Sequence, residues 1–405
     1  MAGGLIDLDS ARAQLLALAR PTPSEHVPLA NALGRTLAAP IVATRDQPPA
    51  PMSAMDGYAI RLADWPGPWR VIAESAAGGA AVAPIGPHQA ARIFTGARLA
   101  AGADAVLIQE EATREGETLR PTRPDPPPHK DNIRPRGLDF TIGQAAGIPG
   151  HPVTPALIGL AAAMGHGAIP VHRRPRIAIL STGDELVSPG TEPGPGQIVE
   201  SCAPMLAAML APIADSLALG IVPDRTEAIQ AAIARACAEG ADAIVTIGGA
   251  SVGDHDLVRP ALLAAGGAID FWRVAIRPGK PLMAGTLGDA VVLGLPGNPA
   301  SAFVTGLLFL LPLARSLGGR ADPLPELVTA RLAAPLPANG NRRDHLRATV
   351  ERRDGELWVT PCPRQDSSLL TVLAEAHALI VRREHASAAA VGDRIETLDT
   401  RFGRF

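Results

Sequence analysis

Strand-length apolar runs alternate with helical segments from Pro175 onward, and this rhythm constrains the fold more than any other feature. Four runs predict strands: Ile177–Leu180, Leu217–Val222, Ala243–Ile247 and Ala290–Leu293. Between the second and third, residues 226–238 place Ile229, Ile233 and Cys237 on one helical face. Strands alternating with helices are typical of an α/β domain with a parallel sheet.

The segments on either side have a different rhythm. Asp9 predicts a capped helix over 10–20, and Thr154 with Pro155 predicts another that runs to Met164 and stops at Gly165. The Pro- and Gly-rich stretch between them, with short apolar runs at 69–73 and 105–108, predicts an inserted β-rich lobe. Runs at 357–360 and 378–381 predict a C-terminal β domain.

A chain of 405 residues is long enough for two to four domains, at roughly 150 residues each. We predict four units: an N-terminal domain of residues 1–44 with 140–172, the inserted lobe 45–139, the α/β domain 173–320, and the C-terminal β domain 321–405. The predicted fold class is therefore multidomain α/β plus β.

Charge and composition limit which classes of partner and which compartment this protein fits. The net charge of −3 lacks the basic excess that binding a nucleic-acid backbone requires. Three distant cysteines predict neither a disulfide framework nor a zinc site and fit a reducing cytoplasm. The apolar stretch 302–311 is shorter than the roughly 20 residues of a membrane span. Only Lys130 and Lys280 are lysines among the 37 basic residues.

Three loops follow predicted strands at the edge where open parallel sheets bind ligands. The first reads STGDE over 181–185, and its two carboxylates are suited to Mg²⁺. The second reads GGASVGDHD over 248–256, where glycines let amides cradle a phosphate. The third, PGNPAS over 296–301, leads into a helix whose free amides suit a second anion. Each loop taken alone is equally compatible with a simple tight turn.

Polar residues beside glycines also stand outside these loops. In the segment RPGKP, residues 277–281, prolines and glycine fix the backbone and so orient the cationic side chains of Arg277 and Lys280. These residues could equally form a structural salt bridge. In the lobe, MSAMDGY contains Asp56, which either serves a site or forms an Asx-turn with Gly57. Thr95 and Asp139 stand in similar glycine-flanked turns.

Seven motifs occur in the order found in molybdopterin molybdenumtransferases, a family that includes the E domain of gephyrin. They are SAMDGYA, IFTGA, RPRGLDF, LSTGDELVSPG, GGASVGDHD, RPGKP and LPGNPAS. Together they span residues 50–305, so the chain resembles this family over most of its length. Ala250 and Arg277 depart mildly from the family pattern, where valine and lysine are usual.

The resemblance implies insertion of molybdate into adenylylated molybdopterin, with Mg²⁺-dependent release of AMP, by a homodimer whose cleft is shared between subunits. It implies catalytic roles for Asp56, Thr95, Asp139, Glu185, Asp256 and Lys280, with Glu185 and Asp256 as Mg²⁺ ligands. The substrate-binding residues that we assign in the α/β domain are Thr182, Gly183, Gly248, Gly249, Ser251, Gly253, Asp254, Arg277, Pro296, Gly297, Asn298, Pro299 and Ser301. Those in the C-terminal domain are Arg342 and Ser367, with Arg347 nearby, and Asp366 stands where the family has glycine.

Two other functions stay open. A molybdopterin adenylyltransferase shares the α/β domain but is usually a single small domain, and a scaffold would need none of the charged loop residues. We also expect a cytoplasmic protein that makes transient contact with other molybdenum cofactor biosynthesis proteins and binds neither nucleic acid nor membrane.

Overall fold

The computed structural model describes residues 5–248 and 257–401. A six-stranded sheet forms the centre of the α/β domain. Its strands, in order across the sheet, are Asp215–Val222, Arg176–Thr182, Ala243–Ile247, Ala290–Leu295, Pro281–Leu287 and Ala268–Arg273. The first four are parallel and the last two antiparallel. The four predicted strands form the parallel part of the sheet, as expected. The two antiparallel strands were not predicted; Leu287 pairs with Ala290 across a two-residue hairpin, which permits only antiparallel strands.

Helices cover both faces of this sheet, which makes it the middle of three layers. Ile177, Ile179 and Val245 point to one face, where they pack on one group of helices. Ala178 and Leu180 point to the other face and pack on a second group. The first group is Leu8–Leu18, Cys202–Leu210 and Pro299–Leu317; the second is Thr226–Ala238 and Val258–Ala264. This alternation is the two-residue period of a strand buried on both sides.

Two helices of the α/β core differ from their predicted form. The N-terminal helix spans Leu8–Leu18 and is capped by Asp7, whose carboxylate accepts a hydrogen bond from the Ser10 amide at 2.9 Å, so Asp9 is not the cap. In the helix Thr226–Ala238, the buried positions are Ile229, Ile233 and Ala236. Cys237 is exposed, because the sheet covers a narrower stripe of this helix than predicted.

The helix Pro299–Leu317 contains a π-helical turn at Gly306–Leu310 and runs for 19 residues. It is longer than the apolar stretch suggested, and by length and composition it could cross a membrane. However, 89% of its apolar window is buried inside the protein. It packs against the sheet and the helix Leu8–Leu18, so it is the core helix of the α/β domain.

The N-terminal domain has its own small core around Leu37, Ile41 and Met164. Its strand pairs are Ser24–Pro28 with Ala168–His172 and Ile41–Val42 with Ala145–Ala146. The helix Pro155–Met164 confirms its prediction: the Thr154 hydroxyl caps it, and Gly165 ends it with a φ of +103°.

The inserted lobe is a six-stranded sheet with its own core, as its β-rich composition predicts. Its strands, in order, are Ala105–Ile108, Gly57–Ile60, Gln89–Ile93, Trp69–Ser75, Thr118–Pro121 and Ala112–Glu115. A stem of two chain segments joins the lobe to the N-terminal domain, with Met52–Ser53 paired to Ile133–Arg134. Between the described residues, the hydrogen bonds of the lobe run within it or into this stem.

The C-terminal domain is a closed five-stranded barrel. Its strands are Leu327–Leu332, Arg343–Arg353, Glu356–Pro361, Ala378–Arg382 and Arg394–Asp399. Pairing of Arg343–Arg353 with Ala378–Arg382 closes the barrel. The short strand Ile276–Arg277 of the α/β domain pairs with Arg343 and Asp344, so the barrel is attached beside the RPGKP segment.

Candidate functional site

Three loops begin at the carboxyl edge of the parallel strands. Ser181 is in register with Ile247, and Ile247 with Leu295, so the loops begin side by side. Gly248 has a φ of +84°, and a Cβ there would lie 2.9 Å from the Thr182 carbonyl oxygen. A Cβ on Gly297 would contact the Cα of Gly248 at 3.7 Å. The structure thus brings Thr182, Gly248 and Gly297 into contact, as ligand binding at this edge requires.

The first loop presents an exposed carboxylate. Gly183 has a φ of +149°, and a Cβ there would lie 2.5 Å from Oε2 of Glu185, so the Glu185 side chain folds back over the glycine. Asp184 instead accepts a hydrogen bond from the Asp224 amide at 3.1 Å. Of the two adjacent acidic residues, Glu185 is therefore the one placed at the edge of the sheet.

The second loop falls mainly outside the described residues. Gly248 is described, whereas the predicted site residues Gly249, Ser251, Gly253, Asp254 and Asp256 are not. Among residues 5–248 and 257–401, no three His, Cys, Asp or Glu side chains are arranged to hold a metal.

The third loop starts the core helix. Asn298 is the N-cap residue and Pro299 opens the helix, while Ser301 is buried in its first turn. The Ala300 amide donates to the carbonyl oxygen of Ser367 at 3.0 Å. One amide of this helix start is thus already engaged by the barrel, and Ser367 is placed beside Ser301.

The RPGKP segment lies against the same helix. Gly279 has a φ of +103°, and a Cβ there would lie 2.5 Å from Cγ2 of Thr305 and 3.7 Å from the Ser301 carbonyl oxygen. Arg277 forms an ion pair with the buried Asp344, which is the structural salt bridge that the sequence left open. Lys280 is exposed and, within residues 5–248 and 257–401, forms no ion pair. Of the two cations, Lys280 is available to a ligand.

Arg347 supports the barrel loop that carries Ser367. It is buried, its Nη1 donates to the Asp366 carbonyl at 2.8 Å, and its Nε donates to Gln365 at 3.1 Å. The Asp366 carboxylate accepts hydrogen bonds from the amide and hydroxyl of Ser368. Arg342 accepts a hydrogen bond from Asn339 through its carbonyl, on the neighbouring turn.

In the inserted lobe, Asp56 and Thr95 form a pair. The Asp56 carboxylate accepts hydrogen bonds from the Thr95 amide at 2.7 Å and from its hydroxyl at 2.8 Å, so it does not close a turn with Gly57. These bonds lower the pKa of Asp56, and the nearby Arg92 adds to the effect. Arg92 lies over the rings of Tyr58 and Phe94, at 5.0 and 4.7 Å from their centroids.

Asp139 does not join this pair. Its amide donates to the Gln47 carbonyl at 2.9 Å at the base of the stem, whereas Asp56 lies beyond Ser53 at the other end. Within the chain, the structure therefore brings together Asp56 with Thr95, and separately the loops of the α/β domain with Ser367.

Glu200 is a site residue that the sequence reasoning missed. It is buried, and its Oε1 accepts hydrogen bonds from the Ser181 hydroxyl at 3.1 Å and from the amides of Cys202 and Ala203. The Cys202 thiol in turn donates to the Gly297 carbonyl at 3.4 Å. An acidic residue just before a helix was the available signal, since it satisfies free amides there.

Family models match the chain in three consecutive pieces. They are the MoeA N-terminal region (domains I and II) over residues 6–165, a probable molybdopterin-binding domain over 178–316, and the MoeA C-terminal region (domain IV) over 329–399. The chain belongs to the MoeA family. A family relative from a Nostoc species, a molybdopterin molybdenumtransferase, is 38% identical over 88% of this chain and 84% of its own length.

Two further MoeA relatives match nearly end to end. The molybdopterin molybdenumtransferase of Haemophilus influenzae is 32% identical over 96% of this chain and 98% of its own length. The crystal structure of the molybdopterin biosynthesis MoeA protein from Pyrococcus horikoshii superimposes with a TM-score of 0.82 at 27% identity, covering 98% of this chain and all of that one. The multidomain α/β-plus-β architecture is thus that of the MoeA family.

Proposed function

We propose that this chain is a transferase that inserts molybdenum from molybdate into adenylylated molybdopterin and releases AMP. The observation that carries the proposal is the contact among Thr182, Gly248 and Gly297 at one sheet edge, beside the exposed Lys280. Glycine turns and a helix start offer amides to phosphates, and the Lys280 ammonium, which forms no ion pair among the described residues, suits a second oxyanion. The family relatives are named molybdopterin molybdenumtransferases, which supports the transfer of molybdenum to molybdopterin.

The residues of the site would act by positioning two anions against each other. The turn at Gly248 and the start of the core helix at Asn298–Ser301 would hold the pterin nucleotide. Lys280 would attract molybdate, while Arg277, held by Asp344, would fix the backbone of the RPGKP segment. Neutralising the repulsion between two anions in a fixed geometry is electrostatic preorganisation, and it needs no protein nucleophile.

Magnesium fits one side of this edge. The Glu185 carboxylate is exposed, and its partner by the family resemblance, Asp256, lies outside the described residues. Mg²⁺ commonly takes only one or two protein carboxylates and completes its shell with water and substrate phosphates. When bound, it would polarise the phosphoanhydride between the pterin and AMP.

The lobe residues Asp56, Thr95 and Asp139 would complete the site of a second subunit. Thr95 is exposed and Asp56 half-buried, so the pair is accessible for such a contact. We therefore propose a homodimer with a shared cleft. From the family resemblance we also propose a cytoplasmic location and transient contact with other molybdenum cofactor biosynthesis proteins.

The test is a reconstitution with purified components. We expect the protein with Mg²⁺, molybdate and adenylylated molybdopterin to release AMP and to yield a cofactor that activates an apo-molybdoenzyme. AMP release should depend on molybdate. Formation of adenylylated molybdopterin from ATP would instead identify an adenylyltransferase. If the protein catalysed neither reaction, the scaffold function would be the remaining hypothesis.

A further inference from the structure

Five arginines converge on one cavity at the opposite end of the α/β sheet from the candidate site. The cavity, of about 30 Å³, is lined by Arg35, Arg173, Arg174, Arg315, Arg320 and His172, together with small and apolar residues. Among the described residues that line it there is no carboxylate. A concentration of one charge sign around a small space is the electrostatic signature of an anion site.

Three of these arginines are neutralised from outside the cavity. Arg35 is paired with Glu25, Arg173 with Asp242, and Arg174 with Asp215. Arg174 additionally donates to three main-chain carbonyls of residues 211, 212 and 214. These three side chains are fixed in position and add little net charge, and four of the five N–H groups of Arg174 are already engaged.

Arg315 and Arg320 supply the excess positive charge. Arg315 donates only to the carbonyls of Pro323 and Leu324, and none of the described carboxylates lies within 4.0 Å of either guanidinium. Burial lowers the pKa of both side chains, and the charge of Arg320 lowers that of Arg315 further. Asp322 raises the pKa of Arg320 from beyond ion-pair distance, so it offsets part of that charge. Within the described part of the chain, Arg315 has no such carboxylate, and a bound anion would offset its half-buried charge and its repulsion by Arg320.

We infer that this cavity binds a tetrahedral oxyanion of charge about −2, such as sulfate or hydrogen phosphate. Guanidinium groups present planar pairs of donors that match such oxygens. The charge of Arg315 and the partly offset charge of Arg320 favour an anion.

The cavity is distinct from the proposed molybdate site and goes beyond the proposed function. It lies at the start of the strand Arg176–Thr182, whereas Thr182 ends that strand in the candidate site, roughly 20 Å away at about 3.3 Å per residue. Its walls come from the N-terminal domain at 34–36, the connection at 172–175, and the end of the core helix. A bound oxyanion would therefore brace the junction of these segments.

The experiment is a thermal unfolding titration with sulfate, in which sodium chloride keeps the ionic strength constant. We expect the wild-type Tm to rise and saturate, because a ligand that binds only the folded state stabilises it by mass action. Because sulfate has the shape and charge of molybdate, the decisive comparison is made in the Lys280→Ala background, where adding Arg320→Gln should abolish the saturable rise. Arg352→Gln, which removes an exposed arginine on the barrel, and Lys280→Ala, in the candidate site, should both keep it.

Any of three results would overturn the inference. An equal, non-saturating rise in all four proteins would be the general effect of an excluded salt. Loss of the rise in Lys280→Ala would assign sulfate to the candidate site instead. If Arg320→Gln fails to fold, Arg320→Lys keeps the charge without the planar donors. Calorimetric titration with phosphate should then show at least tenfold weaker binding than wild type, and unchanged binding would contradict the inference.

Discussion

The hydroxyl of Ser181 donates a hydrogen bond to the carboxylate of Glu200 at 3.1 Å, and both residues are buried beneath the candidate site. The same Oε1 accepts from two amides that begin the helix Cys202–Leu210, and Cys202 contacts the Gly297 carbonyl. One carboxylate thus connects the first loop, a helix start and the third loop. Glu200 is a positioning residue, because it holds these segments without reaching the edge itself.

Replacing Glu200 with alanine should destabilise the protein by about 2–4 kcal/mol, because it leaves buried donors without an acceptor. Glu200→Gln keeps a carbonyl oxygen in place and should cost less. Urea unfolding followed by circular dichroism measures both. An unchanged midpoint for Glu200→Ala would show that the network contributes nothing to stability.

Lys280→Gln should weaken the use of molybdate by about ten- to a hundredfold, since a charge-assisted hydrogen bond is worth roughly 1.5–3 kcal/mol. The only other lysine offers a matched control: Lys130→Gln removes the same charge from the lobe and should leave the molybdate dependence unchanged. The measurement is the rate of cofactor formation against molybdate concentration. Equal curves for Lys280→Gln and wild type would remove Lys280 from the site.

A cleft shared between subunits predicts complementation. Asp56→Asn and Glu185→Gln should each be inactive alone, while a co-expressed mixture should recover about a quarter of wild-type activity. Half the dimers would be mixed, and each mixed dimer would hold one intact site. Differently tagged subunits allow the mixed dimers to be isolated and assayed. Absence of recovery in verified mixed dimers would place the whole site within one chain.

His345 predicts a dependence of stability on pH. Burial, followed by the charges of Arg343 and Arg12, lowers its pKa from 6.5 to about 3. Below pH 6.5 the unfolded chain therefore takes up a proton at this residue that the folded chain does not. Stability should fall as the pH drops from 6.5 towards 3, and the loss between pH 7.5 and 5.5 should be about 1 kcal/mol.

The control for this pH effect uses two substitutions. His345→Phe should remove the loss, because phenylalanine has no proton to take up, whereas His26→Phe, on an exposed strand, should retain it. Urea unfolding at both pH values measures the difference. A loss of the same size in His345→Phe would assign the pH dependence to other groups.

Local patterns in the sequence determined much of the fold. The helix Pro155–Met164 and the strands Ala243–Ile247 and Ala105–Ile108 lie where hydrophobic period and turn residues predict them. The loops of the candidate site were also visible, because glycine beside polar residues has a local conformational reason. The roles of Asp139, Arg342 and the residues of the second loop remain predictions from the family resemblance.

Only the tertiary structure decided which distant segments share an environment. It placed the helix Leu8–Leu18 in the α/β core, Ser367 on the Ala300 amide, and five separate arginines around one cavity. It also separated Arg277, which is paired with Asp344, from Lys280. Hydrophobic periodicity and turn chemistry act over a few residues, so local sequence patterns determine the individual helices, strands and turns. Contacts between residues tens or hundreds of positions apart depend on how those elements pack, and charge pairing and burial are set only then.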